Sequence, residues 1–243
     1  MSTRKVMIIA AEASSAHYAL KLIKLWKKQE RDGGPQIEFF GVGTNEMEAA
    51  GFKRIGHAEE MAVVGLVEVI KHFSQLKSIF NNLVEAAKTQ KPDFVILMDY
   101  PDFNLRLAKK LKALNIKVFY YISPQVWAWR KSRIHDIKAY CERVFLLFPF
   151  EKNFYDQFQV PNLFVGHPLL EDIDESLYNK SLIQGHRQKY GIKNDELVLA
   201  LMPGSRHGEI DRNFPIQLKT AQIVLRKHKH IRLSICVAPT LER

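Results

Sequence analysis

Phe94-Val95-Ile96-Leu97-Met98-Asp99-Tyr100-Pro101-Asp102-Phe103-Asn104 and Val118-Phe119-Tyr120-Tyr121-Ile122-Ser123-Pro124-Gln125-Val126-Trp127-Ala128-Trp129-Arg130 decide how this chain folds. Each opens on an apolar run too short for a helix and too continuous for a half-exposed strand, which reads as a strand buried on both faces. Each run then breaks into a polar loop containing proline. In an open parallel sheet, ligands bind just beyond the carboxyl ends of the strands. An acidic loop and an aromatic-basic loop are therefore expected to face one crevice. Core packing is the plainer explanation for a tryptophan. Here Trp127 and Trp129 flank a small Ala128, follow Pro124 and precede Arg130, a pattern better suited to a loop, so the crevice is favoured.

Further strand-like runs stand at 5–10, 37–41, 143–148 and 163–165, with helical patterns at 18–29, 105–114 and 132–140 between them. Buried strands alternating with helices imply a parallel sheet with right-handed crossovers. The expected fold class is α/β: a doubly wound domain over residues 1–167, then a connection and the first βαβ unit of a second, incomplete Rossmann-like domain over 168–243. That unit is a strand at 197–202, a loop at 203–206, a helix at 210–228 and a strand at 231–237. A βαβ unit of this size buries too little surface to stand alone. Its missing layer is expected either from a longer protein or from another chain.

Composition narrows the class. Of the 243 residues 47% are hydrophobic, enough for a sizeable core. The two cysteines, Cys141 and Cys236, lack metal-ligand spacing and read as free thiols in a reducing cytoplasm. No secretory signal is read, since the first apolar run is interrupted at Glu12, and no run approaches a membrane span. Thirty-six Lys+Arg against 26 Asp+Glu leave a net charge of +10, which favours anionic partners. Nucleic-acid-binding signatures are lacking, so no nucleic acid is expected. His135, His167 and His207 show no ligand spacing, and no metal is assigned.

Several positions carry chemistry. Asp102 lies in a loop at a strand's carboxyl end, where a carboxylate can take a hydroxyl proton. Position alone leaves open whether it does so or caps the following helix, as Asp often does. Glu12 follows the first strand, again at the ligand edge. Pro203-Gly204-Ser205-Arg206 joins a strand to a helix; helix N-terminal N–H groups and a guanidinium suit phosphate, although Pro-Gly-Ser is also ordinary turn chemistry. The 63–83 segment is apolar over a wide stripe that includes Val64, Leu66, Val67, Ile70 and Phe73. It reads either as a helix packed on the sheet or as an apolar patch that meets lipid.

Asp99-x-Pro101-Asp102-Phe103-Asn104, Ser123-Pro124-x-Val126-Trp127-Ala128-Trp129-Arg130, Pro149-Phe150-Glu151-Lys152-x-Phe154-Tyr155, Gly166-His167-Pro168 and Pro203-Gly204-Ser205-Arg206-x-x-Glu209 occur in the order and near the spacing of one family. From residue 6 onward the chain resembles lipid-A-disaccharide synthase. The resemblance implies the two-domain GT-B glycosyltransferase fold. It also implies a reaction joining UDP-2,3-diacylglucosamine to 2,3-diacylglucosamine 1-phosphate, with no cofactor.

On that resemblance Asp102 is the general base and Glu12 a second active-site residue. Gly204, Ser205 and Arg206 hold the donor diphosphate. Asp99, Asn104, Ser123, Trp127, Trp129 and Arg130 line the acceptor crevice, and the 63–83 stripe touches lipid. The implied partners are the two acylated sugars and the anionic face of the inner membrane of a Gram-negative bacterium, where the protein would be peripheral; a homodimer is compatible. Asp93 matches a sensitive family position, but it opens its strand from the far end, which favours a structural role.

Relatives read Gly-Glu-x-Ser-Gly-Asp where this chain has Ala11-Glu12-Ala13-Ser14-Ser15-Ala16, so a lost positive-φ turn and a lost acidic contact are expected to disturb substrate handling at this edge. Relatives also continue past residue 243, so the chain alone is expected to be inactive. Two other readings remain: a non-catalytic, lipid-binding truncated relative, and a nucleotide-sugar epimerase of similar architecture.

Overall fold

A computed structural model describes residues 3–61, 66–205 and 207–238, without the side chains of residues 59, 66–73, 175 and 176. It divides into two compact units, Met1–Leu170 and Glu171–Arg243.

The first unit is built on seven strands: β1 (Arg4–Ala10), β2 (Ile37–Gly43), β3 (Phe52–His57), β4 (Phe94–Met98), β5 (Lys117–Tyr121), β6 (Arg143–Leu146) and β7 (Asn162–Phe164). All neighbours pair in parallel, in the order β3-β2-β1-β4-β5-β6-β7. Its helices are α1 (Ala13–Arg31), α2 (Asn45–Ala49), α3 (Ala58–Met61), α4 (Leu66–Gln90), α5 (Pro101–Ala113), α6 (Arg133–Tyr140) and α7 (Pro149–Gln157).

Strand β1 shows why the sheet is covered twice. Met7 and Ile9 join one apolar cluster with Leu83 of α4, Leu107 and Leu111 of α5 and Ile137 of α6. The alternate residues Val6 and Ile8 join another with Ala19 and Ile23 of α1 and Met47 of α2. All four β1 side chains have no exposed surface, so a continuous apolar run is what two helix layers require. On α5 the inward positions Asn104, Leu107, Ala108 and Leu111 recur at helical spacing, with Lys109, Lys110 and Lys112 on the water side.

The strand order reverses between β1 and β4: lower-numbered strands lie to one side and β5–β7 to the other. Ala10 pairs with Met98, so the loops leaving these two strands start side by side at the switch point. At the opposite end of β4, Asp93 ties the strand to β1. The Lys5 backbone N–H donates to its Oδ2 at 2.8 Å, and Arg4 Nη1 lies 3.1 Å from Oδ1. The Lys5 N–H, more than the nearby arginine, holds this carboxyl below its ordinary value.

Strand β3 escaped the sequence reading because it sits at the sheet edge, where Lys53, Arg54 and His57 interrupt the apolar pattern. Strand β6 ends at Leu146 and not at 148, because Phe148 becomes the N-cap of α7 ahead of Pro149, a residue preorganised for a first helical turn.

The second unit contains α8 (Lys180–Lys189), two short 3-10 turns before it, β8 (Leu197–Leu201), α9 (His207–Lys227) and β9 (Ile231–Ile235). Asn179 caps α8 by accepting the Ser181 N–H at 2.9 Å. β8 and β9 form a two-stranded parallel sheet from Leu197↔Ile231 to Leu201↔Ile235. Among the described residues of this unit only Leu201, Pro203 and Ala221 are buried, whereas Leu197, Val198, Ile216 and Ile235 are exposed. A two-stranded sheet with so little covered surface is marginal by itself.

Candidate active site

The turn from β4 into α5 is strained and pinned. Asp99 and Tyr100 take φ of 48° and 40°, a region that non-glycine residues enter only when neighbours over-determine it. Asn104 supplies that determination. Its Nδ2 donates to the carbonyls of Met98 (2.9 Å) and Asp99 (2.7 Å), and Tyr120 Oη donates to the same Asp99 carbonyl at 2.6 Å. Burial pushes the Tyr120 phenol well up, so it remains a neutral donor. Asn104, expected in the crevice, is instead fully buried. Its amide can brace the turn only from within.

The turn presents Pro101 at the first position of α5 and Asp102 in its first turn. The helix N-cap is Tyr100, not an aspartate. Asp102 is 68% exposed and lies between two guanidiniums: Arg130 Nη1 is 3.1 Å from Oδ1 and 3.3 Å from Oδ2, and Arg133 Nη2 also meets Oδ1. The Arg130 pair is exposed on both sides, and such pairs contribute only about 0–1 kcal/mol, so this arm of the clamp orients the carboxylate more than it stabilises the fold. A carboxylate accepts about four hydrogen bonds. These three contacts leave room for one further donor.

The loop after β5 is held by a second buried set. Ile122 has φ of 67°, unusual for a β-branched residue. Ser123, expected in the crevice, is buried. Its hydroxyl meets Tyr155 Oη of α7 and donates to the Pro124 carbonyl at 3.0 Å. The correction has the same cause as for Asn104, since a small polar side chain satisfies the backbone of a tight loop from inside. Burial raises the Tyr155 phenol more than the Ser123 contact lowers it.

Trp127 is half-buried and donates Nε1–H to Glu151 Oε1 at 3.1 Å, while the Phe148 N–H donates to Glu151 Oε2 at 3.1 Å. Trp129 is 66% exposed, with the Arg130 guanidinium 5.5 Å from its ring centre. One motif thus contributes a braced ring, an exposed ring and the arginine that reaches Asp102. From Trp127 a chain of rings runs along the carboxyl edge through Phe150 (5.0 Å), Phe148 (5.5 Å), His167 (5.7 Å) and Tyr18 (6.2 Å). Sequence reasoning missed Phe148, Phe150 and Tyr18 as site residues. The signal available was an aromatic just after each of β5 and β6 and one near the start of α1.

Glu12 is the N-cap of α1 beyond β1. Its backbone N–H donates to Ser15 Oγ at 3.1 Å, and that hydroxyl donates to the Glu12 carbonyl at 2.9 Å. Burial, then the charge of Asp102, then that of Glu12 raise the Tyr100 phenol, which therefore stands within the field of both carboxylates. The expected backbone penalty here does not arise. Neither Ala11 nor any residue from 12 to 16 has a positive φ, and Ser15 and Ala16 are buried in the first turn of α1.

In the second unit, Gly204 has φ of +134°, and a Cβ there would lie 2.6 Å from Glu209 Cβ, so glycine is required. The Ser205 N–H donates to Glu209 Oε2 at 3.0 Å, so a carboxylate oxygen engages this backbone donor. Arg206 lies outside the described residues, as do Val64 and the side chains of Leu66, Val67, Ile70 and Phe73. Among the described residues, no group of three or more His, Cys, Asp or Glu is placed to hold a metal ion.

The family model for lipid-A-disaccharide synthetase matches residues 6–242. A lipid-A-disaccharide synthase of Geobacter metallireducens is 40% identical over 238 residues, covering 98% of this chain and 60% of that protein. The chain spans about 60% of the length of the relatives it matches. Among solved structures, the UDP-GlcNAc 2-epimerase from Neisseria meningitidis bound to UDP-GlcNAc aligns with a TM-score of 0.58 at 12% identity, over 98% of this chain and 66% of that one. CalG4, the calicheamicin glycosyltransferase, aligns with a TM-score of 0.54 at 12% identity, over 100% of this chain and 67% of its own. At such identity these likenesses speak to the fold alone.

Proposed function

The chain belongs to the lipid-A-disaccharide synthase family, and from that premise we propose that it supplies the acceptor half and the first donor elements of an inverting glycosyltransferase. Residues 1–167 bind 2,3-diacylglucosamine 1-phosphate, and the segment from 168 begins the side that binds UDP-2,3-diacylglucosamine. The observation that carries this is Asp102: an exposed carboxylate on the first turn of α5, at the point where the strand order reverses. Asp102 takes the proton of the acceptor's 6-hydroxyl as that oxygen attacks the donor's anomeric carbon. The bond to UDP breaks and the configuration inverts. Gly204, Ser205 and Arg206 receive the departing diphosphate, with Ser205 exchanging its Glu209 contact for a phosphate oxygen. Glu12 and the aromatic edge position the acceptor.

The test is UDP release from the chain extended by the remaining C-terminal part of the Geobacter relative, with both lipid substrates. Removing a general base costs about 10²–10⁴-fold in rate, so Asp102→Asn is expected to fall by that much with the fold intact. Retention of more than half the activity would remove Asp102 from the role. The unextended chain is expected to show no turnover, because transfer requires donor and acceptor to be held in line. The 40% identity to a named synthase favours this reading over an epimerase or a non-catalytic lipid binder.

Among the described residues, no helix is long and apolar enough to cross a membrane. We place the 63–83 segment at the inner-membrane surface. A Leu66→Ser/Phe73→Ser double variant is expected to lose co-sedimentation with anionic vesicles, and equal binding by parent and variant would return the segment to core packing.

A further inference from the structure

Beside the Asp102 clamp, a groove of about 380 Å³ runs between α5 and α6. Four cations line it, Arg106 and Lys109 from α5 with Arg130 and Arg133 from the β5–α6 segment, against two carboxylates, Asp102 and Asp136. Arg130 and Arg133 are engaged with Asp102. Arg106 and Lys109 are exposed, and among the described residues neither side chain has an ion pair or hydrogen bond. Asp102, Arg106 and Lys109 follow one another at i, i+4 and i+7, on one face of the helix.

We propose that this groove is a phosphate monoester site, formed by Arg106, Lys109 and Arg130, that holds the acceptor's phosphate while Asp102 faces its hydroxyl. The assignment rests on the acceptor reading given above. A dianionic monoester matches the excess of two positive charges and gives Arg130 a bidentate partner. Arg106 lies one helical turn from Asp102, about 6 Å along the axis, a separation on the scale of a sugar ring. A hydroxyl at one side of the sugar and a phosphate at the other are thereby read from a single helix. Bound there, the phosphate competes with Asp102 for Arg130.

The experiment titrates the 243-residue chain calorimetrically with glucosamine 1-phosphate, glucosamine and inorganic phosphate, alongside co-sedimentation with phosphatidic acid vesicles. Each is repeated with Arg106→Gln/Lys109→Gln and with a charge-matched control on α1, Lys24→Gln/Lys28→Gln, folds being checked by circular dichroism. Loss of charge-assisted hydrogen bonds is expected to weaken glucosamine 1-phosphate binding about tenfold or more in the groove variant and not in the control. Glucosamine is expected not to bind. Asp102→Asn, which removes the competing anion, is expected to tighten the ester by about threefold or more.

Vesicle binding lost only in the groove variant, without soluble-ester binding, would support the site and assign its monoester to a lipid headgroup. Inorganic phosphate binding as tightly as the sugar phosphate would keep the anion site but overturn its use for the acceptor. Equal losses in groove and control variants, or no binding of any phosphate probe, would overturn the proposal.

Discussion

Glu151 is 2% exposed and is the peg on which the tryptophan loop hangs, since one oxygen receives the Trp127 indole and the other the Phe148 N–H. Replacing it with leucine keeps the bulk and leaves both donors without an acceptor. Hydrogen bonds to charged groups contribute about 1.5–3 kcal/mol each. Trp127 is half-buried and can recover part of its share from water. The buried charge also carries a desolvation cost that leucine does not. The expected net loss is about 3 kcal/mol, against about 1–2 kcal/mol for Glu151→Gln, which retains one acceptor.

In a domain of this size each kcal/mol shifts Tm by about 2–4 °C, so Glu151→Leu is expected to lower the transition of the first unit by about 6–12 °C. Urea unfolding followed by tryptophan fluorescence measures the free energy. The same substitution on a Trp127→Phe background isolates the contact, with an expected coupling of about 1 kcal/mol or more. A coupling near zero, or a Glu151→Leu chain within 1 kcal/mol of the parent, would refute the reasoning.

Asp93 should govern part of the acid limb of stability. Its folded value is lowered first by the Lys5 N–H, so the stability it adds is present above the unfolded carboxyl value, about 4, and fades as pH falls through the lower folded value. The stability difference between the parent and Asp93→Asn is therefore expected to shrink below about pH 4, and a difference that grows there would contradict the assignment. Cys141 is pushed up to about 12, by burial ahead of the neighbouring Glu142 charge, whereas Cys236 is exposed. Iodoacetamide at pH 8 is expected to label Cys236 and spare Cys141 in the native chain, as read by peptide mass spectrometry; labelling of both would show that the first unit opens.

Burial on both faces writes itself into composition. Val6 to Ala10, Val95 to Met98 and the run around Tyr120 are apolar without alternation because helices cover both sides, and that pattern alone identifies a parallel α/β sheet. The ends of the central strands, and with them Glu12, Asp102 and Arg130 as residues of one edge, follow from where those runs stop. Strand β3 was not legible, since a sheet edge tolerates charge and loses the pattern.

The sequence could not tell which polar residues of those loops face the crevice and which face inward. Asn104 and Ser123 stand in the same motifs as Asp102 and Trp129, yet they are buried and spend their hydrogen bonds on the loop backbone, while their neighbours project outward. Pairing Arg130 and Arg133 with Asp102 across about thirty residues of sequence, and Trp127 with Glu151 across another twenty-four, also belongs to the tertiary structure. Periodicity records which face of an element is buried, because burial acts on every residue of that face. It carries no trace of a contact made once, between side chains brought together only when the strands take their order in the sheet.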